Sequence, residues 1–321
     1  MFIYFRLRVR CRLLIGKALI VDEFNPHLSC TITVLNEKQA EKLKSNNSTN
    51  ANPKGIVFNN IKSIEYIEST NKRVVSFQDI KLDKMERTTR TNTVNIADEK
   101  YTLVFTTSSL FKKGELKVKL LAVSLPFIAI VHGNQESQAW AAVLWDSLPI
   151  IPDSHLLNTP RVYWNDLAEQ LNKKFKEIVK LPKKRSASRS LVSTNEEKAL
   201  TKENIMYLYY MVMNYCCDEE NQSSVSVTWD AIFRDKLPGK SFSFWDWFYS
   251  VIKLIQESLS THWNNKIIFG FIDKETAISE LRAYPPGTFI LRFSGSQLGK
   301  FSLSNMECCS NVLKFNYMQV D

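Results

Sequence analysis

Long apolar runs, zinc-type cysteine spacing and catalytic signatures are all missing from this chain of 321 residues. Its longest apolar stretches, such as residues 123–131, fall well short of the ~20 residues needed to cross a bilayer, which excludes a helical membrane span and a membrane partner. Cys11, Cys30, Cys216, Cys217, Cys308 and Cys309 include two adjacent pairs but no Cys-x-x-Cys. With only 4 scattered histidines beside them, no zinc site is spelled out, and the usage suits a reducing compartment. A strand is expected at the N-terminus in preference to a secretion signal. A signal needs an unbroken apolar core, whereas Arg6, Arg8, Arg10 and Arg12 alternate with Leu7, Val9, Cys11 and Leu13. That alternation is the period of a half-buried strand, so the chain is expected to begin inside a sheet.

Enzyme motifs fail one by one. Pro238-Gly239-Lys240-Ser241 ends like a phosphate-binding loop, but Arg234 stands where the first glycine is required. Ser294-Gly295-Ser296 lacks the outer glycines of a nucleophile elbow. Paired acids such as Glu219-Glu220 have nothing to place them in a pocket. We therefore expect no enzyme, no metal and no cofactor.

What is present is an ordinary globular composition, 44% hydrophobic and 23% charged, with a net charge of +9. The length allows two or three domains. Residues 1–150 read as short strands between polar turns: 56–58, 74–77 and 101–106 are β-branched or aromatic, and Leu116, Val118 and Leu120 alternate with lysines. Residues 124–131 form a continuous apolar run, expected as a strand buried on both faces. Residues 42–53 read as a polar loop. Several strands without helical periodicity predict a β-sandwich or barrel.

Helical spacing takes over after Pro152. Leu167, Leu171, Phe175 and Ile178 share one stripe; residues 201–214 and 243–262 predict two more helices, the last opened by a cap at Ser243. The basic run 183–190 reads as an exposed loop, with nuclear import or kinase targeting as the alternatives. Beyond it, Asp273 caps a short helix, Pro285-Pro286-Gly287 turns, and residues 288–294 make a strand. Residues 301–304 and 312–315 predict further strands.

Arg292 lies in Phe289-Ile290-Leu291-Arg292-Phe293, an otherwise apolar strand. A guanidinium there is costly unless paired, and an isolated arginine most often closes an internal salt bridge. Here Ser294 and Ser296 follow it into the turn, and Lys274 opens the preceding helix. An arginine fork, two hydroxyls and an ammonium suit a dianionic phosphate.

The segment 287–294, Gly-Thr-Phe-Ile-Leu-Arg-Phe-Ser, resembles the central strand of a Src-homology-2 (SH2) domain, the phosphotyrosine-binding module. Residues 238–245, His262-Trp263-Asn264 and Gly270-Phe271-Ile272-Asp273-Lys274 resemble the STAT transcription factors in order and spacing. So do Arg12-Leu13-Leu14, Ser124-Leu125-Pro126 through His132-Gly133, and Ala142-Val143-Leu144-Trp145. The resemblance implies an immunoglobulin-like DNA-binding β-barrel over residues 1–150, an all-helical linker over 151–262 and the first part of an SH2 domain over 263–321. It implies phosphotyrosine contacts from Arg292, Lys274, Ser294 and Ser296, with Gly295 in place of the acidic residue often found between those serines. It also implies a DNA edge contact from His132 and phosphate contacts from Lys38, Lys84, Arg87 and Arg90.

The partners implied are double-stranded DNA with a palindromic TTC…GAA-like site, phosphotyrosine peptides of receptors or STAT partners, a second STAT chain in a homo- or heterodimer, and an upstream tyrosine kinase. Localisation follows as cytoplasm and nucleus. The resemblance further implies a truncated chain, lacking the coiled coil and the tail tyrosine. An interaction protein that occupies phosphotyrosine docking sites without productive DNA binding is the alternative. Charge is partitioned in keeping with DNA contact: residues 1–150 carry 21 Lys and Arg against 14 acids, and residues 151–321 carry 21 against 19.

Overall fold

The computed structural model describes residues 6–13, 28–46, 52–70, 72–86, 99–107, 120–130, 132–152, 159–180, 199–213, 224–309 and 312–320. The chain packs as two compact units, Met1–Trp140 and Ala141–Asp321.

In the first unit the arginine alternation does make a strand. β1 (Arg6–Leu13) exposes Arg8, Arg10 and Arg12 and turns Val9 and Cys11 toward a core. β2 (Ser29–Asn36) continues into helix α1 (Glu37–Asn46), after which come the short strands β3 (Ile56–Phe58), β4 (Ile61–Ser63) and β5 (Glu65–Ile67). β6 (Lys72–Asp83), β7 (Tyr101–Thr107) and β8 (Leu121–Val123) complete the strands of this unit among the described residues. β6 pairs with β1 along one edge and with β3 and β5 along the other, while the second sheet runs β4-β2-β7-β8. One core lies between the sheets. Cys30, Ile32 and Val34 of β2, Val75, Phe77 and Ile80 of β6, and Leu103 and Phe105 of β7 bury alternate side chains there. Burial, and the nearby Cys11, push the Cys30 thiol up to about 11, which marks an inert core cysteine.

Three sequence expectations change here. The sheets are separate hydrogen-bonded ladders, so the described strands do not close into a barrel. Residues 42–46, expected as loop, belong to α1. Its amphipathic spacing places Ala40 and Leu43 inward, and Asn36 and Gln39 cap it reciprocally at 2.9 and 3.3 Å. Residues 124–130 are not a strand buried on both faces: Leu125 is 87% exposed, and only Phe127 bridges to Tyr101. Pro126 removes a backbone donor next to that bridge. The doubly buried strand is β7, whose Val104 packs outward with Leu35 of β2 and Leu43 of α1. Residues 116–119 and the basic run 183–190 lie outside the described residues.

The second unit is mostly helical at first. Helix α2 (Glu136–Asp146) leads into it, and β9 (Arg161–Tyr163) pairs with β10 (Ser226–Thr228). The stripe of α3 (Trp164–Lys180) buries Leu167, Leu171 and Phe175 completely. α4 (Lys202–Met213) and α5 (Trp229–Phe233) follow. α6 (Phe244–Leu254) starts at a capping box between Ser243 and Asp246, then widens into a π turn (Ile255–Leu259) before α7 (Ser260–Asn264). α8 (Lys274–Leu281) packs on the sheet β11 (Phe289–Phe293), β12 (Phe301–Cys309) and β13 (Val312–Val320) through Ala277, Leu281 and Ile290. Rings tie these parts together. Phe175 stands 5.3 Å from Trp263, Phe248 6.2 Å from Phe271, and Phe271 4.9 Å from Phe293.

Candidate functional site

Helix α8 begins where Asp273 accepts hydrogen bonds from the Thr276 amide and hydroxyl at 2.8 and 2.6 Å. Partial burial pushes this carboxyl up, but the bonds from Thr276 outweigh it and hold Asp273 below the ordinary aspartate range. The cap fixes the first helical residue, Lys274, whose side chain is exposed. Beside it, β11 alternates so that Ile290 and Arg292 share a face. Arg292 is only 6% exposed, and its backbone is clamped by Ser302 of β12 on one side and Gly270 on the other.

The turn after β11 is held from two directions. The Ser294 amide donates to the Lys300 carbonyl at 2.9 Å. From α6, the Trp247 indole donates to the Ser294 carbonyl at 2.7 Å, and the Gly299 amide donates to the Ser250 hydroxyl at 2.9 Å. Inside this frame the Ser294 and Ser296 hydroxyls lie 3.3 Å apart.

A cleft of about 500 Å³ opens here, lined by Arg292, Lys274, Gly295 and Ser296 together with Asp273 and residues of the preceding helical segment. Of the four residues singled out in the sequence, three therefore line one cavity. Ser294, fully buried, stands one step behind, with its hydroxyl against Ser296. Among the lining residues that sequence reasoning missed, two are polar, Lys240 and Tyr207. The only signal for Lys240 was its place in a failed phosphate-loop motif. Tyr207 carried none, because it lies 85 residues before Arg292. The substitution of Gly295 also has a spatial counterpart: a Cβ there would sit 3.4 Å from the Tyr207 hydroxyl oxygen. Three cations and two hydroxyl-bearing side chains, Ser296 and Tyr207, line the cavity, and the one lining carboxylate is engaged in the helix cap. Such a site suits a phosphate on a bulky group, and its volume falls in the range of ligand pockets.

The residues singled out for DNA belong to the first unit. Lys38 is exposed in the first turn of α1, and Lys84 is exposed at φ +47° just past β6. His132 is exposed at the head of a short 3₁₀ turn, its amide donating to Gln135 Oε1 at 3.2 Å. Backbone and side-chain bonds join the segments from which these residues extend. Asn36 pairs with Tyr101, the Tyr101 hydroxyl donates to the Glu86 carbonyl at 3.2 Å, and Tyr101 exchanges backbone bonds with Phe127. Lys38, Lys84 and His132 each lie a few residues from one of those positions. Arg87 and Arg90 lie outside the described residues. Among the described residues no His, Cys, Asp and Glu side chains group into a metal site, and no helix is long and apolar enough to cross a membrane.

Residues 3–130 match the family model described as STAT protein, DNA binding domain. Residues 153–248 match that for the signal transducer and activator of transcription linker domain, and residues 268–319 that for the SH2 domain. The chain belongs to the STAT family. A "Signal transducer and transcription activator" of Anopheles gambiae is 32% identical over 294 residues, which is 91% of this chain and 38% of that relative. The STAT chain thus spans well under half the length of the curated relative it matches. Within it, the cleft is shared between the SH2 match, which supplies Arg292 and Lys274, and the linker match, which supplies Tyr207 and Lys240.

Proposed function

We propose that this STAT chain acts in a sequence-specific, DNA-binding transcription factor that is switched by tyrosine phosphorylation in cytokine- or growth-factor-like signalling. In this reading residues 1–150 serve DNA, 151–262 connect, and 263–321 capture phosphotyrosine. Capture of a partner chain's phosphotyrosine after an upstream tyrosine kinase has acted yields a homo- or heterodimer. Two DNA-binding units on one palindromic TTC…GAA-like duplex then gain affinity through avidity. Receptor phosphopeptides compete for the same cleft, and the protein moves between cytoplasm and nucleus.

The observation that carries this reading is the buried Arg292 at the base of a cleft that Lys274 and Ser296 also line. Replacing Arg292 by Ala removes charge-assisted bonds to the phosphate, so phosphopeptide affinity should fall about 30- to 100-fold, roughly 2–3 kcal/mol. Titration calorimetry with a phosphotyrosine peptide and its unphosphorylated twin measures this. Unchanged affinity would refute the assignment.

The DNA half of the proposal is supported by the basic balance of residues 1–150 and by the exposure of Lys38, Lys84 and His132. In this reading the lysines hold phosphates, together with Arg87 and Arg90, and His132 meets a base edge. His132→Ala should cost about 1–3 kcal/mol on a palindromic duplex and little on a scrambled one. Fluorescence anisotropy at fixed salt compares the two, and equal losses on both would contradict the role.

A further inference from the structure

The arginine alternation of β1 plays no part in the readings above. Arg8, Arg10 and Arg12 stand exposed on one face of the strand, roughly 7 Å apart by its two-residue repeat. None of the three forms an ion pair or hydrogen bond through its side chain among the described residues. Across the sheet Arg10 is opposite Ser76 and Arg12 opposite Val74, so no acid answers either directly. Glu65 is opposite Val74 from the far side, two strands and about 10 Å away from Arg12. Asp79, in the irregular stretch of β6 facing Arg8, forms no ion pair with it.

β1 is also an edge. Among the described residues it pairs with β6 alone, and its other side carries a row of backbone amides and carbonyls with no strand beside it. The inner face along this edge is incompletely covered. Val9 and Cys11 pack on the core yet remain half-buried, whereas Phe77 and Val75, opposite them on β6, are 1% and 3% exposed.

We propose that β1 accepts an extended acidic segment of another protein as an added strand. Carboxylates at alternate positions of that segment face Arg8, Arg10 and Arg12, and the small apolar residues between them cover Val9 and Cys11. Main-chain bonds along the edge supply affinity, and the alternating side chains supply choice. An added strand brings its outward Cβ atoms to about 5 Å from those of the arginines, where guanidinium and carboxylate meet. The same charges work against the wrong neighbour: a second copy of β1 would set arginine beside arginine. A nucleic acid answers the arginines but brings neither backbone amides to the edge nor apolar groups to Val9 and Cys11. The partner that fits is therefore a peptide strand.

The test uses the full chain and fluorescein-labelled peptides read by anisotropy at low salt. The probe is Gly-Glu-Val-Glu-Val-Glu-Gly, with a permuted twin Gly-Glu-Glu-Glu-Val-Val-Gly and a copy of the probe N-methylated at both valines. The alternating probe should bind about tenfold more tightly than either control. R10E/R12E should abolish that advantage and confer one for the Lys-Val version of the probe, which also shows that the variant is folded. R10S alone should weaken the probe about threefold. Equal affinity for probe and permuted twin, binding that survives N-methylation, or binding indifferent to charge reversal overturns the proposal. So does a chain that ignores the peptides but holds a scrambled DNA duplex and loses it in R10E/R12E, because the arginines then serve nucleic acid.

Discussion

Gly270 holds a φ of +88°, in the left-handed region that glycine enters without cost, and it does so in a crowded place. A Cβ there would lie 2.8 Å from the Trp263 ring and 3.0 Å from the Phe293 ring. Its backbone also carries the bridge to Arg292, with the Phe293 amide donating to the Gly270 carbonyl at 2.8 Å. Gly270→Ala should therefore cost about 2–3 kcal/mol from backbone strain and ring displacement combined. Gly287 has a similar φ of +93° but open space around it, so Gly287→Ala reports the strain alone and should cost less. Denaturant unfolding of the two variants measures the difference, and equal losses would remove the packing argument. Neither effect is visible in the sequence, where Gly270 is only a glycine between two phenylalanines. Arg292 was legible for the opposite reason: one charge in an apolar strand stands out without any structure.

Helix α8 depends on one side chain for its start. Asp273 accepts two hydrogen bonds from Thr276, and its carboxyl lies below the ordinary value of 3.8 despite the upward push of burial. A lowered carboxyl stabilises the fold above its unfolded value and loses that contribution as pH falls through the folded one. Asp273→Ala should thus cost about 1 kcal/mol at neutral pH, from the lost cap. The gap between parent and variant should close on acidification below the ordinary value of 3.8, as thermal unfolding across a pH series would read. A gap independent of pH would argue against the charged cap. Caps of this kind were plain in the sequence, at Ser243 and at Asp273, because they rest on bonds three residues apart. The polar segment after β2 was misjudged because Lys, Ser and Asn hid the one spacing that mattered, Ala40 to Leu43 against Leu35. Residues 124–130 misled in the other direction: hydrophobicity promised a buried strand, and Pro126 with an exposed Leu125 prevented one.

Across the whole molecule, what the sequence could not reveal is mainly what depends on distant contacts. The separation of the first unit into two ladders follows from β3 and β5 joining β6 while β4 crosses to β2, and three-residue strands carry too little pattern to announce such a choice. The same holds for the contribution of Lys240 and Tyr207 to a cleft built around Arg292. The ring contacts that join the linker and SH2 matches have a consequence for grafting. Phe175, Phe248 and Trp247 meet Phe271, and Trp263 meets Phe293, in one continuous core. An SH2 domain is often treated as a freely portable cassette, but here Phe271 and Phe293 of its inner surface pack on rings from helices upstream. A change of ring size on either side leaves a gap or a clash on the other, so a foreign module grafted onto this linker would have to present matching rings to pack.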